Sequence, residues 1–522
     1  ALTLGSGTTT ITTTDLYVGT YNNQGRGNGN TALNFNTTTG TLTLRGLSGG
    51  TTRANVHVGE NNGGSTSTSS GGKLDLSGST STTLAGGNAD LLIGTLNISQ
   101  RSGGGSDTSS MTFRSGSMDI NTLVVGKAGG STASGTLTLN GGTVIINTAA
   151  TIAQGTGGTT NGTLTIAGAT VTSTPGLVLG NQTGTAVVNA TLNLTSGALT
   201  LGGDLSSIGT VTSTLNLSGG TLDLGGNDIV GITALTFASG TLKNVASING
   251  AGGLTKTGTG LLTLDGTIGY TGTTTINAGT LRVGPSTGTS VTTSLVTSAD
   301  IVNNAALILR RTDAADVDLT PSISGTGSVT FEGTGVSNQS RYAMNNASSY
   351  SGGSSLAQCR VNLTTATGLG SGLITIGSGA GLFINGAGTV ANALNLAGNG
   401  WVEGSGQLGA LRLSSGSVIT GSTTLAANAR ITVNTGSTAT ISGPISGAFA
   451  LELGEDTTAG RLNLNGTHSY TGTTTISHGT LALGGALTSH IINNAILAPQ
   501  GTPATTGSLS NNTTYQTRLT TT

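Results

Sequence analysis

One stretch, LLTLDGTIGYTGTTTINAGTLRVG at 261–284, returns 200 residues later as RLNLNGTHSYTGTTTISHGTLALG at 461–484. Fifteen of the 24 positions are identical, and the heptapeptide Tyr-Thr-Gly-Thr-Thr-Thr-Ile stands unchanged at 270–276 and 470–476. Self-similarity of this kind in a Gly/Thr-rich chain points to stacked units, none of which can bury its apolar face alone. Inside the unit, Leu262 and Leu264 alternate with Thr263, and Leu462 and Leu464 alternate with Asn463, the period of a strand with one buried face. The dipeptides ending in Gly266 and Gly466 read as turns. Tyr270 and Gly272, then Tyr470 and Gly472, lead into β-branched strands ending at Ile276 and Ile476. Gly279 and Gly479 turn the chain again, before third strands carrying Leu281 and Leu481. Three strands and two turns in so short a unit predict one coil of a β-solenoid.

The run Leu254-Thr-Lys-Thr-Gly-Thr-Gly, then Leu-Thr-Leu-Asp-Gly, then Tyr270-Thr-Gly-Thr-Thr-Thr-Ile-Asn-Ala-Gly-Thr-Leu resembles the autotransporter-associated β-strand repeat, or passenger-associated transport repeat, of secreted bacterial passenger domains. The segments 425–433 and 441–447 are similar to further parts of such passengers. The resemblance implies an all-β, right-handed parallel β-helix exported to the bacterial cell surface. It brings no catalytic residue. Export calls for a signal peptide, and none precedes Ala1, so the numbering is expected to start at a mature terminus.

Composition agrees with a solenoid. Charged residues make up 7%, aromatic residues 3%, and glycine supplies 91 of 522 positions, whereas a compact globule is about 25% charged. A solenoid needs only a narrow inner stack per coil. Recurring Leu/Ile/Val alternation argues against a disordered chain. Net charge is −1 and the 18 basic residues are scattered, so no stripe for phosphates exists and nucleic acid is not an expected partner. No apolar run is long enough to span a bilayer as a helix.

Along the chain, residues 1–249 form an N-terminal solenoid region with Gly/Asn/Ser-rich edge loops. Residues 250–284 hold the first repeat, and 285–446 irregular coils with a degenerate repeat near 329–361, where Tyr350 takes the place of Tyr270 and Tyr470. Residues 447–485 hold the second repeat, and 486–522 a C-terminal coil. Roughly 20 coils at a rise of about 4.8 Å would give a length of about 100 Å. In the first region the alternating pairs, from Leu2/Leu4 to Leu215/Leu217, are expected to point inward. Closing segments such as LYVG to Gly19, VHVG to Gly59, LLIG to Gly94, LVVG to Gly126 and TIAQG to Gly155 are expected to align from coil to coil. Insertions at 20–30, 60–70, 101–110 and 127–134 then lie along one edge.

No catalytic, cofactor or metal site is expected from these residues. Arg310, Arg311, Asp313, Asp316 and Asp318 are the densest charges and read as a solvated loop; Glu452, Glu455 and Asp456 are the alternate. His57, His468, His478 and His490 are the only histidines; His468 and His478, ten residues apart in one repeat, read as exposed turn residues rather than a zinc pair, and Cys359 as a structural thiol. Trp401 is weighed as a sugar-stacking platform. GGNADLLIG at 86–94 and GGNDIVG at 225–231 are isolated, so turns are expected there rather than Ca²⁺ sites. Two functions remain: a structural surface solenoid forming a fibre or adhesin stalk, and a β-helix carbohydrate-active enzyme or glycan-binding adhesin with surface glycans as partners. Both ends continue the strand pattern. Leu2, Leu4 and Ile11 at one end, with Tyr515 and Leu519 at the other, are therefore the expected faces for head-to-tail assembly of copies.

Overall fold

The computed structural model describes residues 2–19, 31–35, 40–61, 71–77, 88–284, 299–312, 316–337, 339–404, 406–454, 460–500 and 507–511. Strands and turns make up these residues, and no helix occurs among them. No helix is therefore long and apolar enough to cross a membrane. The chain divides into two units, Ala1–Thr271 and Gly272–Thr522, so the division falls inside the first repeat.

In the first unit each coil contributes three strand segments, and each segment pairs in parallel with its counterpart one coil away. One ladder runs through Leu2–Leu4, Thr31–Phe35, Gly72–Leu76, Ser106–Phe113, Thr132–Leu139 and the first parts of Thr159–Ser173, Val187–Leu201 and Thr212–Val230. A second runs through Thr8–Thr12, Thr41–Arg45 and the starts of Asn88–Arg101, Gly116–Ala128 and Thr143–Gly155. The third runs through Asp15–Val18, Ala54–Asn61, the ends of those same long strands, then Leu177–Gln182 and Leu205–Ile208. These are the stacked three-strand coils that the alternation and turns predict, paired in parallel as the resemblance implies.

The inner stack is made in register. Leu33, Leu74, Met111, Leu137, Leu164, Leu192 and Leu215 occupy one column, and none is more than 3% exposed. Each such side chain contributes about 1.5–3 kcal/mol on leaving water. The coil above or below supplies the backbone hydrogen bonds. Outward positions of the same strands carry mostly Thr, Ser and Asn, and the charged Lys73 and Asp75 pair with each other at 3.1 Å. Asn189 Nδ2 donates to Asn161 Oδ1 at 2.9 Å, and Asn216 Nδ2 to Asn193 Oδ1 at 2.9 Å. Side-chain amides thus bond along the stack.

Register corrects the expected alignment. Val18, Val58, Ile98, Val125, Ile152 and Leu179 form one column of the third ladder. The next residue in all six of these coils, Gly19, Gly59, Ser99, Gly126, Ala153 and Gly180, has φ of +74°, +69°, +62°, +81°, +64° and +95°. LLIG at 91–94 belongs instead to the second ladder, where Leu91 and Ile93 face Met118 and Ile120. Gly94 and Gly155 are therefore not equivalent to Gly126, because the left-handed position follows the stacking register rather than the nearest glycine.

Other expectations change with it. Leu4 is buried but Leu2, in the same strand, is 60% exposed. The supposed insertions at 101–110 and 127–134 are short turns, with strands resuming at Ser106 and Thr132. Asp265 and Gly266 do not end a strand; Leu261–Ile268 runs through them with Gly266 at φ +72°. The segment 20–30 and most of 60–70 lie outside the described residues.

The second unit has shorter strands and the same parallel logic. One ladder links Thr280–Val283, Ala306–Arg310, Ser328–Glu332, Ser354–Ala357, Ile374–Ile376, Leu394–Gly398 and the start of Thr423–Val433. Another links Arg341–Met344, Arg360–Leu363, Gly381–Ile384, Leu411–Leu413 and the end of Thr423–Val433, and continues through Leu451–Leu453, Thr474–Ile476 and Ile491–Asn493. A separate six-stranded sheet contains Thr389–Val390, Val418–Ile419, Thr438–Ile441, Arg461–Leu464, Thr480–Leu483 and Ile496–Pro499.

Candidate functional site: recurring tyrosines and a charged clip

The recurring positions go into packing. Leu262, Leu264, Tyr270, Ile276 and Leu281 are 0% exposed, and Leu462, Leu464, Tyr470, Ile476 and Leu481 are at most 1% exposed. Tyr470 shares a hydrogen bond with Thr474 Oγ1, which in turn meets Ser489 Oγ at 2.7 Å, and Ser489 donates to Gly472 O at 2.6 Å. In the degenerate unit Tyr350, also 0% exposed, meets Ser354 Oγ at 2.5 Å. Burial pushes the Tyr470 phenol up to about 12. These phenols are hydrogen-bonded packing posts, since a buried hydroxyl without a partner would be costly. Glycine is required beside the post: a Cβ at Gly472 would sit 2.1 Å from Phe449 C. Gly279 and Gly479 turn with φ of +67° and +79°.

The densest described charge network escapes the sequence reading. Glu403 Oε2 lies 3.4 Å from Arg360 Nη1, and its Oε1 lies 3.4 Å from Arg412 Nη1. Glu403 sits on a small hairpin, Val402–Glu403 paired antiparallel with Gly406–Gln407, set among parallel ladders. Arg360 covers the Trp401 ring at 5.4 Å, and Arg412 covers the Phe383 ring at 4.6 Å. Arg430 Nη1 donates to Gln407 O at 2.8 Å, and Arg430 Nε to Glu452 Oε2 at 2.9 Å. The hairpin is thus clipped to the wall by three arginines from three coils. Burial lowers the Arg412 pKa, opposed by Glu403 and helped by Arg360. The one sequence signal for the network is an arginine between two inward apolar residues, as in Leu411-Arg-Leu and Ala429-Arg-Ile.

Trp401 is 2% exposed, so it packs the clip and offers no open stacking face. The expected charged loop is also corrected. Ala306–Arg310 and Asp316–Asp318 are strands, Arg310 meets Glu332 at 3.5 Å, and Arg311 is buried. Asp313, Glu455 and Asp456 lie outside the described residues. Asp90, in the first Gly-Asn-Asp stretch, pairs with Arg45 at 2.5 Å.

His468 differs from the exposed turn residue expected of it, while His478 lies half-exposed in a bend beside Gly479. His57 sits in a strand, its Nε2 3.5 Å from Asp15 Oδ1 and its Nδ1 against Glu60, with the Tyr17 ring stacked at 4.6 Å. His468 is 0% exposed, and neither ring nitrogen has a hydrogen-bond partner. Burial pushes it down to about 4. In the first repeat the same position is Ile268, 1% exposed, so a core slot has taken an imidazole. Cys359 is fully buried as expected, its thiol donating to Phe331 O at 3.3 Å and raised to about 12 by burial.

The model of the passenger-associated-transport-repeat matches residues 254–283 and 459–483, the two stretches whose recurring side chains fill the core. Both stretches are similar to that repeat. Repeats of this family belong to autotransporter passenger domains, which are secreted or surface-exposed. In this chain the transport repeats spend every recurring apolar and aromatic side chain on the scaffold. No curated protein and no solved structure matches the chain.

Proposed function

We propose that the chain is the structural part of a secreted surface protein, a stacked β-solenoid that serves as a fibre subunit or an adhesin stalk. The observation that carries this reading is the use of the transport repeats. Tyr270, Tyr470 and the leucines around them are sealed in the core, so what recurs is a packing unit rather than a reactive group. Stacked parallel coils give a stiff rod-like element at low cost in charge or aromatic content.

The finer reading is head-to-tail pairing of copies through Leu2, Leu4 and Ile11 at one end and the stretch with Tyr515 and Leu519 at the other. The exposure of Leu2 supports it; Tyr515 and Leu519 lie outside the described residues. Such a heterologous contact does not close and propagates as a filament. Electron microscopy of the purified chain tests this: filaments with an axial repeat near one subunit length are expected. A monomer at high concentration, unchanged by deleting 1–14 or 511–522, overturns the pairing. Turnover of a polysaccharide by the chain overturns the purely structural role.

A further inference from the structure

A groove of about 310 Å³ lies on one corner of the first unit, lined across three successive coils. We infer that this groove binds the pyranose ring of a neutral saccharide, with the Asp204 carboxylate accepting hydrogen bonds from its hydroxyls.

Gly176 lines the groove, and a Cβ there would sit 2.1 Å from Asp204 O, so this position takes no side chain into the groove. Small apolar groups, Ala149, Pro175 and Val178, supply one kind of surface, and the hydroxyls of Thr151 and Ser206 supply another. Asp204 is exposed at the edge, and its Oδ1 accepts from Asp228 N at 2.9 Å. That bond fixes the carboxylate in place and leaves its other oxygen able to accept. No cation lines the groove among the described residues, so an anionic ligand would meet only Asp204. A pyranose matches this inventory: an apolar C–H face for the small side chains, and vicinal hydroxyls for a fixed carboxylate. The volume is at the low end for ligand sites and suits one or two rings rather than a large cofactor.

The test uses the whole chain, titrated by NMR and calorimetry with glucose, galactose, N-acetylglucosamine and their short oligomers. At least one neutral sugar should bind; tighter binding of its oligomer than of the monosaccharide identifies a glycan chain as the source, and equal binding a free sugar. Asp204→Asn should weaken that binding at least about tenfold, because a charged acceptor is replaced. Val178→Trp fills the trough from a half-exposed strand position and should abolish binding with the melting temperature unchanged. Absence of binding by every sugar in the panel overturns the inference. So does full affinity in either folded variant, or tighter binding of a uronate than of its neutral counterpart.

Discussion

The Tyr470 phenol and the Thr474 hydroxyl, four residues apart, share a hydrogen bond of 2.5 Å in the core of the second transport repeat. The relationship returns between Tyr350 and Ser354 at 2.5 Å in the degenerate unit, so the spacing, and not the choice of threonine or serine, defines the post. Replacing Tyr470 by Phe keeps the ring and removes one of the two hydroxyl partners of Thr474, leaving Ser489 as the other. The expected loss is about 0.5–1.5 kcal/mol, read as a lower midpoint in chemical denaturation. A loss no larger than that of an exposed Tyr17→Phe control would mean that the phenol is idle.

Two opposite substitutions test the left-handed column. Ala153 holds φ +64°, a conformation that costs a non-glycine residue about 1 kcal/mol. Ala153→Gly is therefore expected to be neutral or stabilising despite the lost methyl. Gly126→Ala would add a Cβ 2.6 Å from Asn161 O at φ +81°, and should destabilise by about 2 kcal/mol or more. Thermal melts of both variants check the sign; a stabilised Gly126→Ala would refute the assignment.

His468 makes the fold acid-sensitive. Burial holds its imidazole near 4, below the ordinary 6.5. The unfolded chain therefore takes up a proton first as the pH falls. The contribution is complete above about pH 6.5, fades between 6.5 and 4, and is gone below, a loss of roughly 3 kcal/mol. His468→Ile, which copies Ile268, should flatten this part of the stability curve measured between pH 4 and 7. Parallel curves for the two proteins would show that His468 does not titrate with unfolding.

The clip should loosen locally. Glu403→Gln removes the charge between Arg360 and Arg412, each 3.4 Å away, and leaves two guanidinium groups partly buried without it. About 1–3 kcal/mol of local stability is expected to go. Hydrogen exchange at Gly409, whose N–H donates to Asn399 O at 2.9 Å, should speed up while the Leu139 strand is unchanged. Uniform acceleration across the chain, or none, would show that the clip is not a separate unit.

The inner stack was legible in the sequence because strand period is local. Leu137 and Leu139, or Leu462 and Leu464, face inward wherever one face is buried, and the repeated heptapeptide puts Tyr270 and Tyr470 at the same place in the unit. What a sequence cannot fix locally is which coil face meets which. LLIG at 91–94 and LVVG at 123–126 have the same pattern, and only stacking put the first in the second ladder and gave the left-handed position to Ser99. The same holds for Glu403, whose arginines arrive from 360 and 412, and for Asp204, whose carboxylate is set by the backbone of Asp228. His468 carried no local mark of burial either, since only the wall of the solenoid decides that its position, like Ile268, is dry. Alternation is written residue by residue in the chain; convergence depends on coil length and register, which are properties of the stack.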